Sequence, residues 1–187
     1  MGNPIFESYR REVIGKAKGN VLEIGFGSGC NTPYYKNIDV LYALEPSKEL
    51  FEISKRNLKA TSFPINHIKS PAEKISSPND SFDTVVSTWC LCSVSNPQQV
   101  LREIYRVLKP GGLFVFIDHG KSNNQIVAIL QNALTPLSRA LAGGCHLNRD
   151  IEKLLRSSNF SIDAVKKFTL KGRPTIYMYK GIAVAKK

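Results

Sequence analysis

The sequence predicts a single α/β domain with a doubly wound, mostly parallel sheet, and three observations support this class. The chain has 187 residues, about the size of one ordinary domain. Short apolar segments rich in β-branched residues alternate with segments whose apolar residues have helical spacing. Roughly the last thirty residues instead alternate apolar and polar side chains, which indicates two closing strands. We therefore expect one domain over residues 1–187, with seven strands, helices on both faces and a C-terminal antiparallel hairpin.

The first half of the chain divides into strands and helices at recognisable breaks. A helix is expected over about residues 5–18, within an N-terminal helical segment at 1–19. A short buried strand at 21–24 then breaks into a glycine-rich turn. The elements expected after this turn are a strand at 40–44, a helix at 50–58, and strands at 65–68 and 82–87.

The second half continues the alternation. Asn96 is a good N-cap with Pro97 at the first helical position, so a helix should run to about residue 108. Lys-Pro-Gly-Gly ends it, and a fifth strand follows at 113–117. The helical apolar stripe at 126–137 is most often core; as alternatives it covers the acceptor site, within a substrate-cover segment at 121–147, or lies on a membrane surface. Asn148 is expected to cap a last helix to about residue 157.

Composition and charge restrict the possible functions. With 42% hydrophobic and 22% charged residues the chain has globular composition, and it contains no apolar run long enough to span a membrane and no visible signal peptide. Its four cysteines lack the spacing of a disulfide framework, which favours reduced thiols and a cytoplasmic location. The net charge is +11, but residues 151–187 carry +7 and residues 21–150 only +2. We expect no specific nucleic acid partner and a weak contact of the basic C-terminal segment with anionic membranes.

The glycine-rich turn lies where an open α/β sheet places its ligand. Gly25, Gly27 and Gly29 allow the backbone to approach that ligand closely. Glu23 precedes the turn by two residues, and its carboxylate would repel the pyrophosphate of a nicotinamide dinucleotide by roughly 4 kcal/mol. S-adenosylmethionine (SAM) carries a sulfonium and an ammonium instead, so the Glu23 carboxylate favours SAM over the dinucleotide as the ligand. Glu45, at the end of the second strand, is placed to bind ribose hydroxyls, and its alternative role is a solvated acid that caps the next helix.

Three segments together resemble the class I SAM-dependent methyltransferases of the type 11 domain, which have a Rossmann-like sheet. They are VLEIGFGSG at 21–29, SPAEKISSPNDSFDTVVST at 70–88 and LREIYRVLKPGGLFVF at 101–116. The resemblance implies SAM as cofactor, with the glycine turn at its methionine part and Glu45 at its ribose. It implies adenine contacts at Ala72 and Glu73, and we count Glu23 and Thr88 among the expected cofactor-binding residues.

Within that superfamily the chain is most similar to small methyltransferase-like enzymes that methylate thiols. It departs from them in lacking their hydrophobic N-terminal segment, so we do not expect attachment to membranes by such a segment. The residues that carry this similarity are 71–73, 91–94, Asp118, His119, 144–147 and Arg149.

Histidines are the candidate proton acceptors, because transfer to a thiol needs an unprotonated sulfur. His119 follows the fifth strand and Asp118, so we predict a general base or an acceptor contact; the alternative is a polar residue that ends a strand. His146 follows two glycines and is predicted to reach the acceptor from a lid, with a loop histidine bonded to backbone as the alternative. His67 lies inside a strand and is expected to be structural.

A metal is not expected. A zinc site built from Cys90, Cys92, Cys145 and His146 lacks the paired ligand spacing of structural zinc sites. The preferred function is therefore a SAM-dependent methyltransferase acting on a small molecule, with a thiol as the favoured acceptor. The alternatives are a methyltransferase of lipid or quinone headgroups at a membrane surface, and a SAM-binding or nucleic-acid-binding module without catalysis.

Overall fold

The computed structural model describes residues 6–58, 61–170 and 173–187. In these residues the strands are β1 (Gly19–Ile24), β2 (Ile38–Leu44), β3 (Ile65–Ile68), β4 (Phe82–Thr88), β5 (Leu108–His119), β6 (Phe160–Leu170) and β7 (Arg173–Ala185). The helices are α1 (Glu7–Ile14), α2 (Lys48–Leu58), α3 (Pro97–Val107), α4 (Gln125–Leu141) and α5 (Ile151–Arg156). A 3₁₀ turn at Thr32–Tyr34 lies between β1 and β2.

The described strands form one sheet in the order β3-β2-β1-β4-β5-β7-β6. The first five are parallel to one another, and β7 runs antiparallel to both β5 and β6. Because β1 pairs with β2 on one side and β4 on the other, the chain reverses its winding direction there. This is the topological switch point at which such sheets bind ligands. The predicted mixed sheet with a C-terminal antiparallel hairpin is confirmed.

Each face of the sheet has its own apolar core, which explains the helices on both sides. On one face α1 and α2 cover the strands, with Ile14 and Val21 fully buried. On the other face α3 and α5 pack against the sheet, with Ile104 and Leu155 fully buried. The apolar sides of these helices therefore cover both faces of the sheet. The parallel strands between them all end at the same edge.

Several element bounds differ from the sequence prediction. Within the described residues α1 covers 7–14 and is shorter than predicted, while the predicted start at residue 5 lies outside them. The last helix is capped by Asp150, whose carboxylate accepts a hydrogen bond from the Lys153 amide. Asn148 instead donates to the Asn132 side chain, so the predicted cap was wrong. Asp150 stands directly before the first helical residue, from which its oxygen reaches the amide three residues on.

The alternation of strand and α-helix is interrupted twice, and the first interruption is the β1–β2 connection, which holds only the 3₁₀ turn. In the second, residues 69–81, between β3 and β4, form turns and no helix. Pro71 and Pro78 explain this, because a proline has no amide hydrogen to donate to a helix. At the C-terminus, the alternating residues 176–184 that indicated two closing strands all belong to β7, and its hairpin partner β6 lies earlier, at Phe160–Leu170.

Helix α4 overturns the expectation that its apolar stripe is core. Its buried side holds Ala128, Gln131 and Thr135. The Gln131 side chain accepts a hydrogen bond from the Ser122 backbone amide and donates one to the Gly120 carbonyl. The helix therefore docks on loop backbone through polar contacts, which leaves its apolar side turned outward. We call this side the α4 apolar face, and Ile126 and Leu141 on it are 72% and 78% exposed. Its exposed large side chains are Ile126, Ile129, Leu130, Leu134, Leu137 and Leu141. Of the helices described, none is long and apolar enough to cross a membrane.

Candidate active site

The glycine turn lies at the carboxyl end of β1 and has the backbone conformation predicted for it. Gly25, Gly27 and Gly29 all have positive φ, at 66°, 55° and 72°, a region that costs other residues roughly 1–2 kcal/mol. A Cβ added at Gly25 would lie 2.7 Å from the Cys90 sulfur, whereas one added at Gly27 would meet only the Gly25 carbonyl, at 3.9 Å. The turn is thus packed against the loop after β4 at its first glycine and open to a cleft at its second.

Glu23 lines this cleft and is almost completely buried. Its two carboxylate oxygens accept hydrogen bonds from the Asn31 amide and the Tyr35 hydroxyl, both at 2.7 Å. Burial nevertheless raises the pKa of Glu23 to about 7, because removing a carboxylate from water disfavours its charge. Asn31 also donates to the Thr88 hydroxyl at 2.8 Å and accepts from Arg10. A buried polar network therefore holds the floor of the cleft.

Glu45 lies at the end of β2 and holds the glycine turn. One carboxylate oxygen accepts the Gly27 amide at 2.8 Å and the other the Ser47 amide at 3.0 Å. An ionised carboxylate has about four acceptor positions, so each oxygen retains capacity for a ligand hydroxyl. His67 supports Glu45 from β3: its Nε2 lies 2.8 Å from the Glu45 carbonyl oxygen, and its ring stacks on Phe51.

The predicted adenine loop supplies backbone and one anchoring carboxylate. Ala72 is buried among the core residues of one sheet face. Glu73 accepts the amides of Ser95 and Asn96 at 3.1 and 3.3 Å, just before α3 begins. Its carboxylate therefore ties this loop to the start of α3.

Asp118 organises the next strand end, where β5 finishes. Its buried carboxylate accepts the backbone amides of Leu91, Cys92 and His119 at 2.7–3.1 Å. Burial raises the pKa of Asp118 to about 6. These three bonds fasten the loop after β4 to the end of β5, so the backbone on both sides of the edge is fixed.

The side chains of Cys92, His119 and Cys145 meet at this edge, and we call them the sulfur cluster. The two sulfurs lie 3.3 Å apart, and His119 Nδ1 lies 3.3 Å from Cys145 Sγ and 3.9 Å from Cys92 Sγ. The hydrogen bond between the thiols lowers the pKa of Cys145, an effect that His119 reinforces. The same bond, together with burial, raises the pKa of Cys92. The cluster is therefore suited to holding one negative charge on sulfur.

The segment after α4 closes over the cluster. The His146 amide donates to the Cys92 carbonyl at 2.8 Å, so the backbone of this histidine is tied to the loop after β4. Burial and the nearby Arg149 lower the pKa of its imidazole. Arg149 donates to the carbonyls of Leu91 and Val94, the second at 2.9 Å. Cys90, which sequence reasoning grouped with the other cysteines, instead packs against Gly25.

Known proteins resemble the chain along most of this architecture. Residues 22–116, which run from β1 through most of β5, match the family of methyltransferase domains. The chain belongs to this family. It is 31% identical to thiol S-methyltransferase TMT1B of Rattus norvegicus over 170 residues, which cover 83% of this chain and 68% of that protein. It is 34% identical to thiol S-methyltransferase TMT1A of Homo sapiens over 152 residues, 77% of this chain and 61% of the relative.

Other relatives act on different acceptors. Phosphatidylethanolamine N-methyltransferase of Cereibacter sphaeroides is 26% identical over 155 residues, 80% of this chain and 75% of that one. A solved SAM-dependent methyltransferase from Aquifex aeolicus superposes with a TM-score of 0.69 at 18% identity, over 98% of this chain and 94% of the other, and it shows the shared fold. The protein is a SAM-dependent methyltransferase, so the predictions of enzyme class and cofactor are confirmed.

The cleft of this methyltransferase fits SAM. The Gly27 backbone faces open space, as close approach of a ligand requires. Two buried carboxyl groups adjoin the turn, since Glu23 lines the cleft and Glu45 accepts the Gly27 amide, and they suit a cationic ligand with a ribose. The Asn31 amide and the Tyr35 hydroxyl hold Glu23 in place, and no sequence motif pointed to either.

Two further cleft residues escaped sequence reasoning. Trp89 directly follows β4 with a positive φ of 52°, which is strained for a bulky residue. Arg10 of α1 stacks over its ring at 4.5 Å and lines the cleft. A lone tryptophan at a strand end was an available signal, whereas Arg10 is one of many basic residues and its place depends on how α1 docks.

Proposed function

We propose that this methyltransferase transfers a methyl group from SAM to the sulfur of a small thiol. The observation that carries the proposal is the similarity to thiol S-methyltransferases, at 31% identity over 83% of the chain. The sulfur cluster and Arg149 support it, since they bring together at one edge the residues on which the resemblance to thiol methyltransferases rests.

Cofactor binding is assigned to the glycine turn and its acids. The backbone at Gly25, Gly27 and Gly29 would receive the methionine part, with Glu23 facing its ammonium and Glu45 accepting from the ribose hydroxyls. When bound, SAM supplies a methyl group made electrophilic by its sulfonium. The backbone of Ala72 would contact the adenine. Glu73 and Thr88 would act through their neighbours, because Glu73 anchors the loop and the Thr88 hydroxyl positions Asn31.

The acceptor is assigned to the neighbouring edge, where β4 and β5 end. An in-line transfer requires the acceptor sulfur to lie opposite the leaving sulfonium, and positioning alone can supply roughly 7–11 kcal/mol. A thiol costs only about 2 kcal/mol to deprotonate at pH 7, so modest help is enough. His119 is half-buried, with its backbone amide bonded to Asp118 and its Nδ1 beside Cys145, and it would favour the unprotonated form of the acceptor thiol. His146 and the 121–147 segment would cover it.

A turnover screen tests the acceptor. The purified enzyme is incubated with methyl-labelled SAM and matched panels of thiols, amines, quinols and phospholipids, and products are identified by mass spectrometry. We expect methyl thioethers to form, and His146→Ala should mainly raise the acceptor KM because it removes a covering contact. Methylated amine, quinol or lipid without thioether would overturn the proposal.

A second candidate, methylation of lipid or quinone headgroups at a membrane surface, is favoured by the α4 apolar face. Six large apolar side chains are exposed along one helix, and Arg139 on the same helix is exposed as well. Such a face suits the surface of a bilayer, and Arg139 supplies one basic group for an anionic one. The similarity to a phosphatidylethanolamine N-methyltransferase agrees with this candidate.

Vesicle binding separates the two candidates. Cosedimentation with anionic and neutral vesicles is measured at about 50 and 200 mM salt, which weakens purely electrostatic contacts. Binding that persists at the higher salt and is lost in the Ile129→Ser, Leu137→Ser double variant would select the membrane candidate. If the higher salt abolishes vesicle binding, that binding reflects only the basic C-terminal segment. This result would select methylation of a small thiol.

A further inference from the structure

The sulfur cluster has the composition of a soft-metal site. Within the described part of the chain, Cys92, His119 and Cys145 form a group of potential ligands whose donor atoms all lie within 4.8 Å of one another. Two thiolates and one imidazole are donors that zinc prefers. Asp118 is not part of this set, because backbone amides occupy its carboxylate.

The spacing of the donors matches a tetrahedral metal. Zinc–sulfur and zinc–nitrogen bond lengths give about 3.8 Å between two sulfur ligands and about 3.6 Å between a sulfur and an imidazole nitrogen. The observed separations are 3.3 Å between the sulfurs and 3.3 and 3.9 Å from His119 Nδ1 to them. Movements of about half an ångström would complete the geometry. A disulfide would instead need the sulfurs to approach to about 2.05 Å and would give the imidazole no part.

The three donors come from separate segments, and each segment is fixed independently. The loop that carries Cys92 is held by Asp118 on one side and by Arg149 on the other. The end of β5 presents His119, whose amide also bonds Asp118. The segment with Cys145 is tied down by the His146 amide on the Cys92 carbonyl. Such bonds behind the ligands are what orients them in metal sites.

We propose that Cys92, His119 and Cys145 bind a zinc ion whose fourth position is open to the methyl acceptor. Three protein ligands plus one exchangeable position is the arrangement of catalytic zinc sites. The cluster is joined to the glycine turn by the loop after β4, since Cys90, two residues before Cys92, packs against Gly25, and His119 is the partly exposed member of the three. The sequence-based expectation of no metal rested on ligand spacing along the chain, and the fold supplies a proximity that this spacing does not show.

The role of the metal rests on the proposed function. Zinc binding releases the thiol protons of Cys92 and Cys145 to solvent. An acceptor thiol that takes the fourth position loses its own proton to solvent, and its sulfur remains as a metal-bound thiolate. That sulfur then donates an electron pair to the methyl carbon, and the electrons of the breaking carbon–sulfonium bond leave with the demethylated cofactor. The metal would thus lower the pKa of the acceptor, in place of a general base.

Metal binding is tested directly on the full chain, purified under reducing conditions and freed of metal with a chelator. We expect one equivalent of zinc per chain, and cobalt substitution should give the thiolate charge-transfer band and intense visible bands of a tetrahedral site. Cys92→Ser, Cys145→Ser and His119→Ala should each weaken zinc binding at least about 100-fold, since even loss of a supporting bond behind a ligand costs 10–100-fold. Cys30→Ser is the matched control and should retain the wild-type spectrum.

Several results would overturn the proposal. Absence of stoichiometric zinc in the reduced chain, an octahedral cobalt spectrum, or unchanged affinity in the Cys92→Ser variant would each do so. So would a Cys92–Cys145 disulfide in the freshly purified protein with no metal present. Circular dichroism and SAM binding are measured for each variant to show that it is folded. If Cys145→Ser is not folded, Cys145→Ala repeats the test.

The inference and the proposed function fail separately. Adding a small thiol to the cobalt enzyme should shift the charge-transfer band if the acceptor occupies the fourth position. A tetrahedral metal without any thiol methylation would leave the metal site standing and remove the thiol acceptor. Undiminished thiol methylation by the zinc-free enzyme would leave the function standing and remove the metal.

Discussion

The affinity of this methyltransferase for SAM should rise with pH as Glu23 ionises. Burial raises the pKa of Glu23 to about 7, although the Asn31 amide and the Tyr35 hydroxyl donate to its oxygens. At low pH the carboxyl group is neutral and offers no charge to the ammonium of the ligand. A cation bound beside it favours the ionised form, so protons and SAM compete for the same site.

The size of this effect follows from the pKa. If tight binding requires ionised Glu23, the apparent Kd at a given pH is multiplied by one plus the ratio of protonated to ionised carboxyl. With a pKa of about 7, this factor is about 11 at pH 6 and about 1.1 at pH 8. SAM should therefore bind roughly tenfold more weakly at pH 6, a difference of about 1.4 kcal/mol.

Titration calorimetry at pH 6, 7 and 8 and constant ionic strength measures this dependence. Glu23→Gln is the matched control, because it keeps a side chain of the same size but cannot ionise. The amino group of SAM titrates equally with both proteins, so the difference between the two profiles isolates Glu23. Parallel profiles for the wild type and Glu23→Gln would refute the placement of the SAM ammonium beside this carboxylate.

The same group affects the stability of the ligand-free protein with the opposite sign. Between about pH 4.5 and 7 the native state keeps the Glu23 proton that the unfolded chain has released, so the free energy of unfolding falls as pH rises through this window. Urea unfolding should show Glu23→Gln losing less stability than the wild type between pH 5 and pH 8.

Three further changes test the rest of the site. Glu45→Ala should weaken SAM binding by about 1.5–3 kcal/mol in calorimetry, through lost ribose bonds and a freed Gly27 amide; unchanged affinity would remove its ribose role. Gly25→Ala should destabilise the fold by roughly 2–3 kcal/mol in urea unfolding, from positive φ and contact with Cys90, and adding Cys90→Ala should recover the contact part alone. His119→Ala should lower turnover by about 10²–10⁴ at unchanged SAM affinity; wild-type turnover at neutral pH would exclude it from catalysis.

The placement of the glycine turn and its acids was predictable because it depends on short segments. The strand, turn and acid at 21–29 follow one another directly, and their geometry is set by local conformational preferences of glycine. Glu45 could be placed because parallel strands β1 and β2 end at the same edge. In both cases the sequence distance between two groups translates into a fixed distance in space once the strand is recognised.

Helix α4 was misjudged because periodicity reports which side of a helix is apolar and not what that side meets. The stripe at 126–137 has the spacing of a core helix, yet the surface beneath α4 is the polar backbone near Gly120 and Ser122. Gln131 satisfies that backbone, so burying it is favoured over burying leucine there. A loop therefore decided which side of the helix faces the protein. A hydrophobic pattern does not record the hydrogen bonds that such a loop requires.

The sulfur cluster shows how far topology extends such reasoning. Cys92 and His119 follow β4 and β5, which are adjacent and parallel, so their proximity is implied once that pairing is known. Cys145 is different, because the chain first leaves the edge, forms α4 and returns through Gly143 and Gly144, both with positive φ. Motifs based on ligand spacing detect metal sites built on one turn or hairpin. A site assembled from three separate returns to one sheet edge has no fixed spacing, and the hydrogen bonds of Asp118 and Arg149, which bring these segments together, are the feature by which it can be recognised in the fold.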